Sequence, residues 1–352
     1  MEIRDYVGLS FDDVLLVPRY SDISSRFSDE IDMSVDFLPG VKIKYPIISA
    51  NMDRVSNGAL VAKLVEYGGI GIVHRFLEFD EHVAELNVVP EGYRIGCVGV
   101  GTEGVARLDY LVSADINING VLIDVAHGHS ASVIKQVKHI RATYPWLGVI
   151  AGNVATYEGA TDLLEAGAHV IKIGVGNGSV CSTRVQTGNG VPQITAISWC
   201  KSAVEDFTFD KGDITWWPKL ISDGGVRESE DFVKALACGA DLVMSGSIFA
   251  GADETPGNII KTKGGKFKSY RGSASKEAQE NWKGKATSVE GETTLVPYKG
   301  PVEEVLEVFF AGVRSGFSYQ GARTISELQE NAEFIRQTSA GYIEGTPHGV
   351  RR

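Results

Sequence analysis

Cys181 is the residue of this chain best placed to act as a nucleophile. It lies in a glycine-rich segment, residues 174–184 (GVGNGSVCSTR), beside hydroxyl residues and an arginine. Backbone N–H dipoles and nearby positive charge favour the thiolate, which is the reactive form of cysteine. The alternative is a small packed residue, which is what we expect of Cys97, Cys200 and Cys238. The sequence therefore predicts nucleophilic chemistry at Cys181.

A phosphate-binding site is indicated by three segments rich in glycine and serine. A glycine-rich loop can turn several backbone N–H groups toward one anion, and Ser179 can add a hydroxyl donor. Two further segments, SDGG (residues 222–225) and SGS (residues 245–247), follow apolar runs. Asp223 could accept hydrogen bonds from the vicinal hydroxyls of a ribose, or it could cap a helix or a turn. Together these segments favour a phosphate-bearing ligand.

The composition excludes several classes of protein. The 352 residues include 34 Lys and Arg against 45 Asp and Glu, a formal net charge of −11. A chain this acidic has no general electrostatic attraction to nucleic acid or to anionic lipid. No apolar run approaches the ~18 residues of a membrane span, and the first residues lack the pattern of a signal peptide. We expect a cytoplasmic protein that binds neither nucleic acid nor membrane.

Eight short apolar segments are typical of parallel strands that are buried on both faces. Amphipathic stretches separate them, and residues 164–174 resemble residues 236–246 at a spacing of 72 residues, which is two βα units. Eight such units predict an α/β fold of the TIM (β/α)8 barrel type, with functional groups at the carboxyl ends of the strands. An open doubly wound sheet is the alternative. The predicted strands are residues 46–50, 69–74, 93–101, 120–126, 148–154, 169–176, 219–225 and 241–247.

Residues 251–300 form a long polar insertion after the eighth predicted strand. We expect this segment to be mostly irregular. About fifty residues of this kind inside a compact domain suggest a functional lid rather than a passive connector, with a disordered solvent loop as the alternative. The sequence thus predicts one catalytic domain over residues 1–352, in which residues 251–300 are a mobile flap.

Six motifs resemble the family of inosine monophosphate (IMP) dehydrogenases and guanosine monophosphate (GMP) reductases. They are FDDVLL (residues 11–16), SANMD (49–53), GIGIVH (69–74), GSVC (178–181), SDGG (222–225) and YRGS (270–273), and the resemblance covers nearly the whole chain. It implies a TIM barrel, a purine nucleotide substrate, a nicotinamide cofactor and a homotetramer. It also implies a covalent thioimidate between Cys181 and purine C2. A monovalent cation such as potassium is implied at the backbone carbonyls of Gly176, Gly178, Cys181 and Arg184.

The two branches of this family treat the thioimidate differently. The dehydrogenase passes hydride from IMP to NAD and hydrolyses the adduct to xanthosine monophosphate (XMP), with water activated by an Arg-Tyr pair on the flap. The reductase loses ammonia from GMP and accepts hydride from NADPH, with a proton supplied by a Thr two residues past the cysteine and a flap Glu. Thr183 and Glu290 match the reductase pattern, and residues 275–300 contain no Arg-Tyr pair. The resemblance therefore favours an NADPH-dependent GMP reductase, with Cys181, Thr183 and Glu290 as its catalytic residues.

Other features favour alternatives. The opening SFDDVLLVPRYSD and the later GNGVPQITAI resemble bacterial IMP dehydrogenases, while Asn177 replaces a loop proline and Ser182 a threonine that are common in the family. The second hypothesis is an IMP dehydrogenase that lacks CBS modules, because residues 76–92 leave no room for them between the second and third predicted strands. A non-catalytic nucleotide-binding regulator is the third, and an intact Cys181–Thr183 pair argues against it.

The resemblance also implies which residues surround each ligand. Those around the substrate are Met52, Ser179, Asp223, Gly224, Gly225, Gly246, Ser247, Tyr270, Gly272, Ser273 and Gly291. Those on the cofactor side are Arg75, Asp124, Val125, Ala126, Val175, Gly176, Ser315 and Tyr319. Ser25 and Arg26 are expected to reach the cofactor from a neighbouring subunit, where Arg26 would favour the 2′-phosphate of NADPH over NAD.

Overall fold

The computed structural model of the chain describes residues 6–26, 30–212 and 215–347. Its strands are β1 (Val14–Leu16), β2 (Val35–Leu38), β3 (Val41–Ile43), β4 (Ile47–Ser49), β5 (Ile70–Gly71), β6 (Ile95–Val98), β7 (Gly120–Asp124), β8 (Gly148–Val154), β9 (Val170–Ile173), β10 (Lys219–Asp223), β11 (Leu242–Ser245), β12 (Ile260–Thr262), β13 (Gly265–Arg271), β14 (Thr293–Pro297) and β15 (Phe334–Arg336).

Helices alternate with these strands along most of the chain. They are α1 (Gly58–Tyr67), α2 (Phe79–Val88), α3 (Gly101–Ser113), α4 (Ala131–Thr143), α5 (Tyr157–Glu165), α6 (Thr183–Thr187), α7 (Gln193–Lys211), α8 (Ser229–Ala237), α9 (Lys276–Lys283), α10 (Val302–Tyr319), α11 (Ile325–Asn331) and α12 (Ser339–Glu344). Within the described ranges, no helix combines the length and the apolar character that crossing a membrane requires.

Strands β4 to β11 form one parallel sheet that nearly closes into a barrel. Its order is β5-β4-β11-β10-β9-β8-β7-β6. The first and last of these strands in the chain, β4 and β11, pair directly, with Ser49 opposite Ser245. This pairing excludes the open doubly wound sheet, and the TIM (β/α)8 barrel is confirmed. Each of the eight predicted strand segments contains one strand of the sheet.

The interior of the barrel changes character along the strands. Alternate residues of a strand project to the same side, and the inner layer near the middle is apolar: Ile70, Ile95, Leu122, Ile150, Val170 and Ile221. Two positions further along β7, β9 and β10, the inward positions are occupied by Asp124, Lys172 and Asp223. The barrel is therefore apolar at mid-height and charged where the strands end.

The amino end of the barrel is closed by the hairpin of β2 and β3. Phe37 and Leu38 are fully buried there and belong to the same apolar cluster as the inner barrel residues. Gly120 and Gly148, which begin β7 and β8, leave space for Leu38, since a Cβ at either position would lie 2.6 or 2.8 Å from a Leu38 methyl group. The hairpin thus acts as an apolar plug.

Residues 251–300 are more regular than the sequence suggested. Strands β12, β13 and β14 form an antiparallel sheet, and helix α9 lies between β13 and β14 in the chain. Lys268 of β13 is buried and donates hydrogen bonds to the carbonyls of Ala252 (3.0 Å), Asp253 (3.3 Å) and Thr255 (2.5 Å). The expectation of a mostly irregular lid was wrong, because the polar composition of exposed strands hid a hairpin with a two-residue turn between Thr262 and Gly265.

Candidate active site

A cleft of about 420 Å³ opens at the carboxyl end of the barrel. Cys181, Thr183 and Glu290 all line it. Ten of the predicted substrate residues line it as well: Met52, Ser179, Asp223, Gly224, Gly225, Gly246, Ser247, Tyr270, Gly272 and Ser273. The eleventh, Gly291, lies behind the wall and forms an antiparallel bridge with Cys181. The position agrees with the rule that barrel sites are built from the loops after the strands.

Cys181, Thr183 and Glu290 form a chain of hydrogen bonds. The Cys181 thiol donates to Thr183 Oγ1 at 3.2 Å, and the Thr183 hydroxyl donates to Glu290 Oε2 at 2.9 Å. The main chain fixes this arrangement, because Ser182 N donates to the Glu290 carbonyl at 3.0 Å next to the Cys181–Gly291 bridge. Such a chain can move a proton between the sulfur and the carboxylate.

Burial separates Cys181 from the other cysteines. Burial raises the pKa of the Cys97 and Cys200 thiols far above the ordinary range, and it raises the pKa of Cys238 to about 12. A thiol that stays protonated is a poor nucleophile. Cys181 and Cys238 are both partly exposed, but of the four cysteines Cys181 alone lines the cleft. This supports the choice of Cys181 that the glycine-rich loop suggested.

The predicted phosphate side of the cleft combines close-packed backbone with hydroxyl groups. The Ser179 and Tyr270 hydroxyls lie 3.3 Å apart, and burial raises the pKa of Tyr270, so that it stays a donor. A Cβ on Gly246 would lie 2.7 Å from the Tyr270 oxygen. Because neutral donors can hold an anion without a cationic side chain, this side suits a phosphate in an acidic protein.

Asp223, at the end of β10, is held by two residues that the sequence analysis missed. Lys172 Nζ donates to its Oδ2 at 2.6 Å, and Asn153 Nδ2 donates to the same oxygen at 2.9 Å. Lys172 is only 4% exposed. Burial acts to lower the pKa of its ammonium, but attraction to Asp223 and Asp124 outweighs burial and raises that pKa. A lysine inside an apolar strand was the available signal, since buried lysines are rare unless paired.

Asn177, which replaces the common loop proline, joins the loop to its surroundings. Its Nδ2 donates to Gln193 Oε1 at 2.7 Å and to the Asp223 carbonyl at 2.9 Å. Gly224 has a φ of 85° and leaves room for it, since a Cβ there would lie 3.2 Å from Asn177 Oδ1. A proline at this position would restrict the backbone but could donate neither hydrogen bond. In this chain the loop is ordered instead by the two hydrogen bonds of the Asn177 side chain.

The four carbonyls predicted to hold a monovalent cation lie on the loop and on the helix that follows it. The Gly178 carbonyl accepts from Cys181 N and the Arg184 carbonyl from Gly188 N, both at 3.0 Å. Each oxygen keeps a second lone pair, and neutral carbonyl oxygens suit potassium. Arg184 donates to the Val175 carbonyl at 3.1 Å, which holds the loop against the helix. These residues fit such an ion, and its presence stays a prediction.

The predicted cofactor residues fall in two separate places. Arg75, Asp124, Val125, Ala126, Val175 and Gly176 line the cleft. Ser25, Arg26, Ser315 and Tyr319 line another surface concavity, where Arg26 Nη1 donates to the Ser315 hydroxyl at 3.1 Å. Within one chain Ser315 and Tyr319 lie with Ser25 and Arg26 rather than with Arg75, because α10 carries them outside the barrel, and their part in cofactor binding stays a prediction.

The sequence analysis also missed a pair of aromatic rings, tilted by 36° to each other, that lies beside Arg75 at the cleft. The rings of Phe76 and Trp282 lie 4.5 Å apart, and the Arg75 guanidinium lies 4.8 Å from the Phe76 ring. Arg75 Nε donates to Asp124 Oδ2 at 3.0 Å. Aromatic and guanidinium faces of this kind can stack on a planar ring of a ligand. A lone tryptophan in a polar lid was the sequence signal that could have found it.

The chain matches the IMP dehydrogenase / GMP reductase domain over residues 8–348. It belongs to this family. The inosine-5′-monophosphate dehydrogenase of Nitrosopumilus maritimus is 34% identical to it, over 99% of each chain. The proteins of the same name from Chlorobaculum tepidum and Bacillus subtilis are 44% and 31% identical, and both alignments cover 98% of this chain and 96% of the relative.

Membership of the family makes the chain an oxidoreductase of purine nucleotide metabolism and implies a nicotinamide cofactor. The alignment with the N. maritimus relative runs over 486 positions, at least 134 more than the 352 residues of this chain, so the relative carries segments that this chain lacks. Between β5 and β6 the chain has the single helix α2. A CBS pair has no place in that connection, as the sequence predicted.

Proposed function

We propose that the chain is a GMP reductase, which converts GMP to IMP and ammonia with NADPH as the reductant. The observation that carries the proposal is the hydrogen-bonded chain Cys181–Thr183–Glu290. Residues 275–300 of the lid contain no arginine, so the flap Arg-Tyr pair that the dehydrogenase reaction uses has no counterpart there. The chemistry available at the sulfur is therefore proton transfer through Thr183 and Glu290.

The hydrogen bonds suggest an order of proton transfers. The Cys181 proton passes through Thr183 to Glu290, and the thiolate forms a bond to C2 of the purine while the C2=N3 π pair moves to N3, from which it re-forms the double bond when the amine leaves. Glu290 then returns this proton through Thr183 to the 2-amino group, which leaves as ammonia while C2 stays bonded to sulfur as a thioimidate. The thiol proton thus becomes the third hydrogen of ammonia, and the step needs no further acid.

The remaining residues of the cleft hold the nucleotide. We assign the phosphate to Ser179, Gly225, Gly246, Ser247 and Tyr270, and the ribose hydroxyls to Asp223. The purine then lies beside Cys181, with these further lining residues around it: Met52, Gly224, Gly272 and Ser273, and Gly291 behind them. Fixing both ends of the nucleotide places C2 within reach of the sulfur, which is the positional contribution to catalysis.

The cleft also offers a side for a nicotinamide. A reduced nicotinamide, when bound, supplies the hydride that replaces sulfur at C2 and releases IMP. Arg75, Asp124, Val125, Ala126, Val175 and Gly176 line that side. We propose a homotetramer in which Ser25, Arg26, Ser315 and Tyr319 of one subunit complete the cofactor site of its neighbour. A guanidinium there would prefer the 2′-phosphate of NADPH.

An IMP dehydrogenase is the second candidate, and the relatives favour it. The three relatives described above carry that name, at identities of 31% to 44%. In that reaction Glu290 and Thr183 would take a proton from the attacking water rather than give one to ammonia. The same site residues serve both reactions, so the two candidates differ in what reacts with C2.

Two assay mixtures separate the candidates. The protein is mixed with GMP and NADPH, and separately with IMP and NAD, both with potassium, and the absorbance of the reduced nicotinamide is followed. A reductase lowers the absorbance in the first mixture and leaves the second unchanged. A rise in the second mixture alone would establish the dehydrogenase, and no change in either would overturn both candidates. The Cys181→Ala protein serves as the blank in both.

A further inference from the structure

Lys172 adds a buried positive charge to the inward layer at the carboxyl ends of the strands, which also contains Asp124 and Asp223. The inward residues at mid-height, such as Val170 on the same strand, are aliphatic, and Lys172 follows Val170 on the inner face. Taking both charges of such an ion pair out of water carries a desolvation cost, and replacing a buried pair by apolar residues is often neutral or stabilising. A methionine would fill the same space without that cost. The charge is therefore explained by what it does to its partner, Asp223, rather than by the stability of the barrel.

The two oxygens of Asp223 differ in their surroundings. Oδ2 accepts from both Lys172 Nζ (2.6 Å) and Asn153 Nδ2 (2.9 Å). Across the described ranges of the chain, no donor reaches Oδ1. Asn153 also donates to the Gly174 carbonyl at 2.8 Å, so its amide is fixed from two directions. The carboxylate consequently has one saturated oxygen and one available oxygen, and the side chain cannot rotate without breaking two bonds.

We propose that Lys172 is a positioning residue that holds Asp223 with Oδ1 directed to the 2′-hydroxyl of the nucleotide, and so sets a preference for ribonucleotides over 2′-deoxyribonucleotides. The inference rests on the proposed function only in taking a purine nucleotide as the ligand. The reductase and the dehydrogenase share IMP, as product or as substrate. IMP and 2′-deoxy-IMP therefore test the inference whichever reaction the protein catalyses.

The experiment measures dissociation constants for IMP and 2′-deoxy-IMP by calorimetry. We expect the wild-type protein to bind IMP about tenfold more tightly, as the loss of one hydrogen bond to a charged group predicts. Lys172→Met, which keeps the length of the side chain, should weaken IMP binding about tenfold and change 2′-deoxy-IMP binding less than about twofold. The matched control is Lys219→Met. Lys219 lies at the other end of β10, 3.8 Å from Asp241, and should leave both constants unchanged.

Several results would overturn the inference. Equal weakening for both nucleotides would make Lys172 a packing residue, and unchanged constants would leave Asp223 independent of it. If Lys172→Met does not fold by circular dichroism, Asn153→Ala removes the second bond to Oδ2, and the ratio of the two constants must fall in the same way. Wild-type protein that binds IMP without a ribose preference overturns this inference alone. Wild-type protein that does not bind IMP overturns the proposed function too.

Discussion

The two ends of the barrel are built from the same eight strands, yet the residues inside the amino end are apolar and those inside the carboxyl end are charged. At the amino end, Phe37 and Leu38 of the β2–β3 hairpin are fully buried and seal the interior with apolar contacts. At the carboxyl end the inward positions are Asp124, Lys172 and Asp223, and they border an open cleft. On β9 the inward side chain changes from apolar at Val170 to charged at Lys172, only two residues later.

This difference separates what keeps the fold stable from what serves the reaction. Apolar burial supplies most of the stability of a domain, and inside the barrel the apolar residues lie at mid-height and at the plug. Charges inside a barrel do not add stability by themselves, because removing them from water costs free energy. Apolar contacts elsewhere in the barrel must therefore hold the strands together. We expect substitutions at the carboxyl end to change activity with little effect on stability, and substitutions at the amino end to do the reverse.

The largest expected effect is that of Cys181→Ala at the carboxyl end. Removing the nucleophile removes the covalent route, so kcat should fall by a factor on the order of 10⁴ or more. Steady-state assay of whichever reaction the protein catalyses measures this, and thermal unfolding should show an unchanged Tm. Activity within tenfold of wild type would contradict a covalent mechanism.

Alkylation should single out the same residue. Iodoacetamide at neutral pH should add one group per chain, at Cys181, with complete loss of activity, because burial raises the pKa of the Cys97, Cys200 and Cys238 thiols. Peptide mass spectrometry locates the adduct, and saturating IMP should slow its formation. In urea all four cysteines should react. Labelling of Cys238 before Cys181 in the native protein would refute the assignment.

Glu290→Gln should have the next largest effect, still confined to activity. The amide cannot take the proton from Thr183, so kcat should fall about 100-fold, in the range typical of general acid–base catalysis. The dissociation constant for IMP should stay within about twofold, since binding does not need that proton. Glu292→Gln, an exposed carboxylate two residues further on, is the matched control. If both variants lose activity equally, kcat depends on the conformation of the lid and not on the Glu290 carboxylate.

Leu38→Ala tests the amino end. Truncating a fully buried leucine should lower the free energy of unfolding by about 2–5 kcal/mol, while kcat per folded molecule stays at the wild-type value. Urea unfolding followed by circular dichroism measures the change. Leu15→Ala, at a leucine that is 43% exposed, should stay within about 0.5 kcal/mol of wild type. A loss of kcat in Leu38→Ala without a change in stability would break the separation of the two ends.

The smallest expected effect is a pH dependence of stability that comes from outside the cleft. Burial lowers the pKa of His169, just before β9, to about 4, and that of His82 to about 3. In the unfolded chain both titrate near ~6.5, so below that pH the unfolded state binds protons that the native state does not. Stability should be full above pH ~6.5 and fall toward pH ~4. His169→Asn should reduce the fall in the urea midpoint, whereas exposed His139→Asn should not.

The strands were predictable because a buried parallel strand is apolar at nearly every position, which a sequence displays directly. Cys181 and Asp223 could be placed at the cleft because Cys181 lies in the glycine-rich segment after β9 and Asp223 ends β10 next to Gly224. Lys172 and the Phe76–Trp282 pair each left a signal in the sequence, but their roles were missed because each depends on a partner that is distant in the chain. The lid sheet was missed because its strands face solvent, and exposed strands carry no apolar pattern.

The bridge between Cys181 and Gly291 leaves part of the lid free to change without moving Glu290 away from the sulfur. Glu290 is delivered to the sulfur by main-chain hydrogen bonds at the base of the lid, not by the reach of the lid as a whole. Residues 280–287, which include Trp282 but none of the residues assigned to the phosphate or the purine, can therefore change in length and sequence as an exchangeable cassette while the reactive register stays fixed. A cofactor preference could be altered in that cassette without rebuilding the chemistry beneath it.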